Sequence, residues 1–563
     1  MGSLELEGSD EEGIAKRLWN KFKNERALAL YSPFVVCLAS GALDPNSFLH
    51  CISQDVYFLQ AFAQAYELAE EYADDEEDKE AIVKLRKRVL KRLRNQDELI
   101  REWGFEPPKE NDCNNATVKY TEFLMETASG KVGGEKFSVK IVTPFEKTKL
   151  AGYTLSAISP CMRMYSFISK EIQALLNPDD TEHIYKKWLN SLSSKNLRLA
   201  SASSIEDLLD KLSISLTGEE LDVVERLYHR AMKLELEFIW SQPVVQQTIV
   251  PFSRIHNSAE DNLIIFCDFD LTCTAIDSSA LLAELAIVAA TNVSEPSMPS
   301  TDIRKTWSNL FEQYVEEYRQ CIESIIPSEA DSDKSPQVEG LDYEGLCKAL
   351  EQISDIEKSA TSRVVDSTVL KGLNLADIRR AGERLTFQEG CRRFLQDIME
   401  SKSSMKEVHV LSHCWSGDLI KSALQTGDEN VFNVHSNDLV YEDSISTGGM
   451  IRKMDSPMDK LRAFNDIINC SSNSVKPSTV YIGGSVGDLL CLLEADIGIV
   501  IGSSSSLMRL GNHFGISFVP LFPGLVTKHK ELAETGSLIH KGPSNVLYTV
   551  SNWDEIYAFV LGH

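Results

Sequence analysis

From residue 14 to about 245 the chain repeats one pattern, apolar residues spaced three and four apart. The segments 14–30, 47–72, 78–103, 115–129, 150–175, 181–192, 205–214 and 218–240 each predict a helix, and convincing strand patterns are few. Helices with one apolar face bury it against each other, so this half is expected to be an all-helical bundle. The acidic run DDEEDKE reads as the solvated start of a helix. At about 246–262 the pattern changes. Pro243, Pro251 and the polar stretch HNSAEDN predict a linker. Short apolar runs ending in polar residues follow: LIIFCDFD, EVHVLSH, TVYIGG, IGIVIG and ISFVPL, with helical stretches between them. That alternation predicts a parallel α/β sheet. The segment of about 278–385, after the first strand, reads as mostly helical and is expected to cap the sheet's C-terminal edge. Its tract SIIPSEADSDKSPQVEG reads as a mobile loop. The expected organisation is an acidic tail over 1–13, a helical domain over 14–245, a linker over 246–260 and an α/β domain over 261–563.

Composition narrows the class. The 563 residues are 43% hydrophobic and 25% charged, which excludes a disordered or fibrous chain. No stretch reaches the roughly 18 apolar residues that a membrane span needs. With 57 basic and 84 acidic residues the net charge is −27, a field that repels nucleic acid and anionic membranes. The start, MGSLELEGSDEEG, has neither an apolar signal segment nor the Arg-rich character of a transit peptide. Glu5, Leu6 and Glu7 make Gly2 a poor myristoylation site. A cytoplasmic form is the direct reading, and a longer precursor bound for mitochondria is compatible with it. The twelve cysteines show no C-x-x-C spacing, which fits free thiols in a reducing compartment.

The α/β half carries the sharper chemistry. Asp268 and Asp270, in DFDLT after LIIFC, are two carboxylates two residues apart, expected to point the same way from a strand end. Crowded acids there need a cation, which suits Mg²⁺ and phosphoryl chemistry. An Asp-rich turn is the plain alternative. Ser412 ends VHVLS, where a hydroxyl and amides suit a phosphate. Lys460, in MDSPMDKLRAF, offers an ammonium, with Lys453 as its rival and a surface lysine as the plain reading. The Gly-rich loop from Gly483 to Gly487 ends in Asp488. In order and spacing these four elements resemble the haloacid dehalogenase (HAD) phosphatase superfamily over about 261–563. The resemblance implies Asp268 as the nucleophile and Asp270 as the acid that protonates the leaving group and then activates water. Ser412 and Lys460 would hold the phosphoryl group, and Mg²⁺ would sit among Asp268, the Asp270 carbonyl and Asp488. One departure stands out: Gly484 occupies the place where the family carries a first metal-binding acid. On that reading Asp488 or water fills in, turnover is weakened, and Gly484→Asp is expected to raise it.

The helical half holds a second set. Asp55 lies on a mostly apolar helix, where an acid needs a partner. Phe58 follows it in QDVYFLQ, Tyr120 sits in VKYTEFL, and Cys161 follows Pro160, which is expected to break the helix ladder beside the thiol. Glu235 and Glu237 lie two apart in MKLELEFIW, so only one can face a core. Taken alone, Asp55 reads as a surface acid, and Tyr120 and Cys161 read as packing residues. Together, Q-D-x-Y-F-L, Y-T, P-C-x-x-x-Y and a final E-x-x-F resemble the TenA (thiaminase II) family over about 14–242. The resemblance implies hydrolysis of an aminopyrimidine, with Cys161 as nucleophile, Glu235 shuttling protons (Glu237 the runner-up), Asp55 orienting the ring, and Phe58 and Tyr120 lining the pocket. Leu192 stands where that family has a Tyr.

A TenA-like domain followed by a HAD-like one resembles the plant two-domain thiamine-salvage family. That implies thiamine monophosphate and an aminopyrimidine as substrates and, since TenA-like domains are often tetrameric, a homo-oligomer through the first half. Trp415 and Tyr314 are candidate walls for a thiamine cation. Two alternatives stay open: a HAD phosphatase of other esters with a non-catalytic helical scaffold, and a ligand-binding protein with decayed sites.

Overall fold

The computed structural model describes residues 12–107, 113–132, 135–136, 144–176, 183–193, 199–255, 263–291, 298–326, 340–400, 406–425, 432–471, 477–502, 504–535 and 545–563. The acidic start over 1–11, the HNSAEDN stretch and most of the tract SIIPSEADSDKSPQVEG lie outside them. The chain divides into two compact units. The first runs to Pro251 and includes Leu525–Ser537 and Ala558–His563; the second comprises Phe252–Gly524 and Leu538–Tyr557. Periodicity assigned all of 261–563 to one domain, because it reports where helices and strands lie and not what they pack on. In the first unit His529 meets Ser40 Oγ at 3.0 Å and Cys37 Sγ at 3.5 Å. All twelve cysteines are free.

The first unit is helical, apart from the short pairing of Lys131–Val132 with Glu135–Lys136. Its long helices begin where side chains satisfy the first backbone N–H groups. Asp44 accepts from Asn46 and Ser47 N ahead of Pro45–Tyr72, and Thr217 and Glu220 form a reciprocal capping box at the start of Gly218–Trp240. The helix Pro144–Leu175 runs through Pro160. The expected break does not occur: a proline removes one ladder bond, and the buried packing of Leu155, Ala157, Ile158 and Met164 on either side holds the helix.

The second unit is built on a seven-stranded parallel sheet: β1 (Leu263–Cys267), β2 (Lys406–Leu411), β3 (Asn433–His435), β4 (Ser478–Gly483), β5 (Ile497–Ile501), β6 (Ser517–Pro520) and β7 (Val546–Val550). Their spatial order is β6-β7-β5-β4-β1-β2-β3. β1 and β5 are buried at every position, because parallel strands are covered on both faces, and so they read as unbroken apolar runs. Between β1 and β2 come the helices Ser278–Thr291, Ser300–Ile325, Tyr343–Ser367 and Leu375–Glu383. An antiparallel hairpin, Asp438–Glu442 with Ile445–Ile451, was not expected. Its turn places Asp443 and Ser444 at φ 48° and 67° without a glycine, so the usual turn signal is missing. No helix among the described residues is long and apolar enough to cross a membrane.

Candidate functional site

In the second unit the sheet brings four expected residues together: Asp268, Asp270, Lys460 and Asp488. β1 stops at Cys267, so Asp268 and Asp270 stand beyond the strand and not on it. Asp268 N donates to the Ile482 carbonyl of β4 (2.9 Å), and Asp268 Oδ1 accepts from Phe269 N (2.8 Å). A turn through Leu271, in the left-handed region at φ 58°, then carries the chain away. Both Asp268 and Asp270 line one cavity. Lys460, on the helix Pro457–Ser471, reaches between Asp268 Oδ1 and Asp488 Oδ1 at 2.9 Å each and is 1% exposed.

This buried triad sets the electrostatics. Burial would lower the Lys460 ammonium, but Asp268 and Asp488 outweigh it and hold the proton on. Burial pushes the Asp268 carboxyl up, Asp488 adds to that, and Lys460 opposes both. Burial acts upward on Asp488 too, but there Lys460 and Ser485 win and keep it below the ordinary carboxylate range. The Asp270 carboxyl is pushed up to about 7, by burial first and then by Asp277, while Ser278 N and Oγ each hold one of its oxygens at 2.8 Å.

Two expectations change. Asp488 is not left open for a metal. Its Oδ1 accepts from Lys460 and Tyr481 OH (2.9 Å each), and its Oδ2 from Gly484 N (3.1 Å), Ser485 N (2.9 Å) and Ser485 Oγ (2.7 Å). Five donors saturate a carboxylate, so Asp488 anchors Lys460 and its loop. Ser412 does not line the cavity; its neighbours His413, Cys414 and Trp415 do. It is 1% exposed, its N donates to the His435 carbonyl of β3, and its Oγ accepts from Cys414 N at 3.1 Å. Lys453, the rival of Lys460, pairs with Asp438 at 2.7 Å on the surface.

The chain's fit to Mg²⁺ follows from these contacts. Asp268 Oδ2 takes no hydrogen bond among the described residues, and the Asp270 carbonyl lies two residues on. Mg²⁺ commonly keeps several waters and takes one or two carboxylates plus substrate phosphate, so Asp268 and the Asp270 carbonyl fit it without a third acid. No group of three or more His, Cys, Asp or Glu suited to a metal occurs among the described residues. Gly484 has a steric reason: a Cβ there would lie 2.7 Å from the Ile501 carbonyl oxygen and 3.3 Å from Thr272 Oγ1. Gly484→Asp is therefore expected to destabilise by about 1–3 kcal/mol and not to raise turnover, reversing the expectation from sequence. Thermal melting with a phosphate-release assay checks this, and a faster enzyme at unchanged melting temperature contradicts it.

The first unit holds a second cavity, with about 610 Å³ of space, some of it open to solvent. Asp55, Phe58 and Cys161 line it, together with Tyr165 of the P-C-x-x-x-Y motif and with Arg88, Arg92 and Ser201, which belong to no motif; Tyr120 and Glu235 are not among the lining residues. Arg92 donates to Asp55 Oδ2 at 2.9 Å, and Tyr165 OH to Oδ1 at 3.4 Å. Phe58 meets Tyr120 edge-on, with centroids 5.2 Å apart. Tyr120 is buried and donates to the Ala157 carbonyl at 3.4 Å. Burial raises its phenol well above the usual range, and the nearby Cys161 and Glu235 add to this. Glu235 is 0% exposed, whereas Glu237 is on the surface with Lys119 at 3.0 Å. Leu192 lies in the helix Lys186–Ser193, and its side chain is outside the described residues. Tyr165 was within reach of the sequence, as the Tyr of P-C-x-x-x-Y.

Comparison with known proteins gives the lineage. The TENA/THI-4/PQQC family model matches residues 23–133. A solved TenA family transcription regulator from Silicibacter sp. TM1040 is 20% identical, covering 40% of this chain and 94% of its own, with a TM-score of 0.33. A substrate-bound phosphoserine phosphatase is 18% identical, covering 45% and 91%, with a TM-score of 0.28. The "Bifunctional TH2 protein, mitochondrial" of Arabidopsis thaliana is 52% identical over 571 aligned positions, which cover 100% of this chain and 91% of the relative. Identity at that level over the whole of this chain places it in the bifunctional TH2 protein family.

Proposed function

We propose that the second unit hydrolyses thiamine monophosphate to thiamine and phosphate, and that the first hydrolyses an aminopyrimidine, releasing its amine. The observation that carries the first part is the pair Asp268 and Lys460, backed by buried Asp488, at one end of a cavity with about 1640 Å³ of space, part of it open to solvent. In this reading one carboxylate oxygen of Asp268 attacks phosphorus and the other is left to hold Mg²⁺. The P–O bond to thiamine breaks, and Asp270 gives its proton to the leaving oxygen. Asp270 then takes a proton from water, which attacks the aspartyl phosphate, so phosphate leaves and Asp268 is restored. Lys460 keeps Asp268 positioned and offsets the charge gathering on the phosphoryl oxygens. Mg²⁺, held by Asp268 and the Asp270 carbonyl, would supply further positive charge there.

In the first unit Cys161 would attack the pyrimidine as a thiolate, Glu235 would pass a proton to the departing amine, and water would displace the sulfur. Asp55, oriented by Arg92 and Tyr165, would fix the ring against Phe58, which Tyr120 backs from outside the cavity lining.

Phosphate release from thiamine monophosphate, measured against nucleoside and sugar monophosphates, tests the first reading. Thiamine monophosphate is expected to have the highest kcat/KM, and a preference for nucleotides sinks it. For the second, Cys161→Ser is expected to cut amine release from an aminopyrimidine by about 10³-fold while phosphate release continues.

A further inference from the structure

The cavity above Asp268 has two chemically different ends. One holds Lys460, the only cation among the described residues that line it. Five carboxylates share the same wall: Asp268, Asp270, Asp277, Glu357 and Asp455. Lys460 is bound by Asp268 and Asp488, and its single charge only partly offsets the acids on the cap side. Glu357, on the cap helix Tyr343–Ser367, accepts from Tyr314 OH at 2.8 Å through Oε1, and its Oε2 has no hydrogen bond among the described residues. Around it stand aromatic rings. Trp307, from the cap helix Ser300–Ile325, meets Trp415, from the loop after β2, edge-on at 5.9 Å. Tyr314 packs on Tyr318 at 5.8 Å, and Phe311 lines the same cavity although it is 55% exposed.

Aromatic faces beside an unneutralised carboxylate attract cations and repel anions. A substrate whose phosphate sits at Lys460 must place the rest of its bulk against this wall. Asp455 is already paired with Arg452, so a second phosphate or carboxylate there meets chiefly Glu357 and Asp277, whereas a permanent cation relieves them. Burial pushes the Glu357 carboxyl above its usual range, a strain that a bound cation would offset.

We propose that the cap side of this cavity is a cation subsite, in which Glu357 selects positive charge and Trp307 and Trp415 form the aromatic walls. The subsite rests on reading Asp268 as the phosphoryl site, and it names the substrate class as phosphate monoesters that carry a fixed positive charge a few bonds from the phosphate. It predicts discrimination by charge, not by the shape of a particular ring.

Two isosteres isolate that property. Phosphocholine and 3,3-dimethylbutyl phosphate differ in a nitrogen cation against a neutral carbon. The full chain is expected to favour phosphocholine by about tenfold in kcat/KM, and Glu357→Gln is expected to bring the ratio near one. Glutamine keeps the acceptor that Tyr314 uses, so the fold should hold, and a melting curve verifies it. Equal rates in the unsubstituted chain, or a ratio unmoved by Glu357→Gln, overturn the subsite. If neither ester is hydrolysed, calorimetric binding of choline against 3,3-dimethylbutanol still decides: choline bound more weakly by Glu357→Gln supports the subsite, and no difference refutes it. If the charge preference appears but thiamine monophosphate is not hydrolysed, the thiamine reading fails and the subsite stands.

Discussion

Asp268→Asn is expected to abolish phosphate release, by roughly 10⁴-fold or more, without unfolding the second unit. The amide keeps an oxygen where Asp268 Oδ1 now accepts from Phe269 N and meets Lys460, so both neighbours retain an acceptor. What disappears is the nucleophile: an amide oxygen does not form a stable acyl phosphate as a carboxylate does. Lys460 keeps its second partner, Asp488, at 2.9 Å, so no charge is stranded. The measurement is single-turnover phosphate release, with a melting curve as the control for folding. Near-normal turnover in this variant would move the nucleophile elsewhere and remove the aspartyl-phosphate mechanism. Asp270→Asn should behave differently, slowing release by about 10²–10⁴-fold, because it removes proton transfer and leaves the attacking group.

Lys460→Met is expected to be the most destabilising single change in the second unit, at about 3–5 kcal/mol. It leaves Asp268 and Asp488 buried next to each other with no ammonium between them. Asp488 keeps four donors from Tyr481, Gly484 and Ser485, while Asp268 keeps Phe269 N alone among its described contacts. The remaining repulsion therefore falls on the pair. Adding Asp488→Asn removes one of the two charges, so the double variant should be more stable than Lys460→Met alone. Denaturant melts of the two single variants and the double variant measure that coupling. Additive losses would mean that Lys460 matters for packing and not for charge. Activity should be lost in all three, since the double variant restores stability without restoring an ammonium at the phosphoryl group.

Much of this protein can be read from its residues in order. Positions that alternate every three and four residues produce the helices of the first unit, because each must bury one face. The strands Leu263–Cys267 and Ile497–Ile501 read as solid apolar runs because a parallel sheet covers both faces. Asp268, Asp270, Lys460 and Asp488 could be picked out because each sits at a fixed place relative to a strand end or a helix start. Local patterns report local structure, and these features are local.

What the sequence by itself left undecided depends on contacts between distant residues. A three-residue strand, Asn433–His435, carries no period to detect, and the hairpin turn at Asp443–Ser444 lacks the glycine that would announce it. That Asp488 is saturated by five donors, and is no open metal ligand, depends on Tyr481 and on a lysine 28 positions earlier. Gly484 looked like a lost acid until the Ile501 carbonyl appeared 2.7 Å from where its Cβ would be. Asp55 needed a partner, and only the fold could name Arg92, 37 positions away. Trp415 could be named from its place after Ser412, but Glu357 and Trp307 belong to no motif, and only the fold brings the three to the cavity that Asp268 lines. Sequence determines which residues can do chemistry, through their type and local spacing. The tertiary structure decides which of them face one another, because burial, charge pairing and steric exclusion act through space and not along the chain.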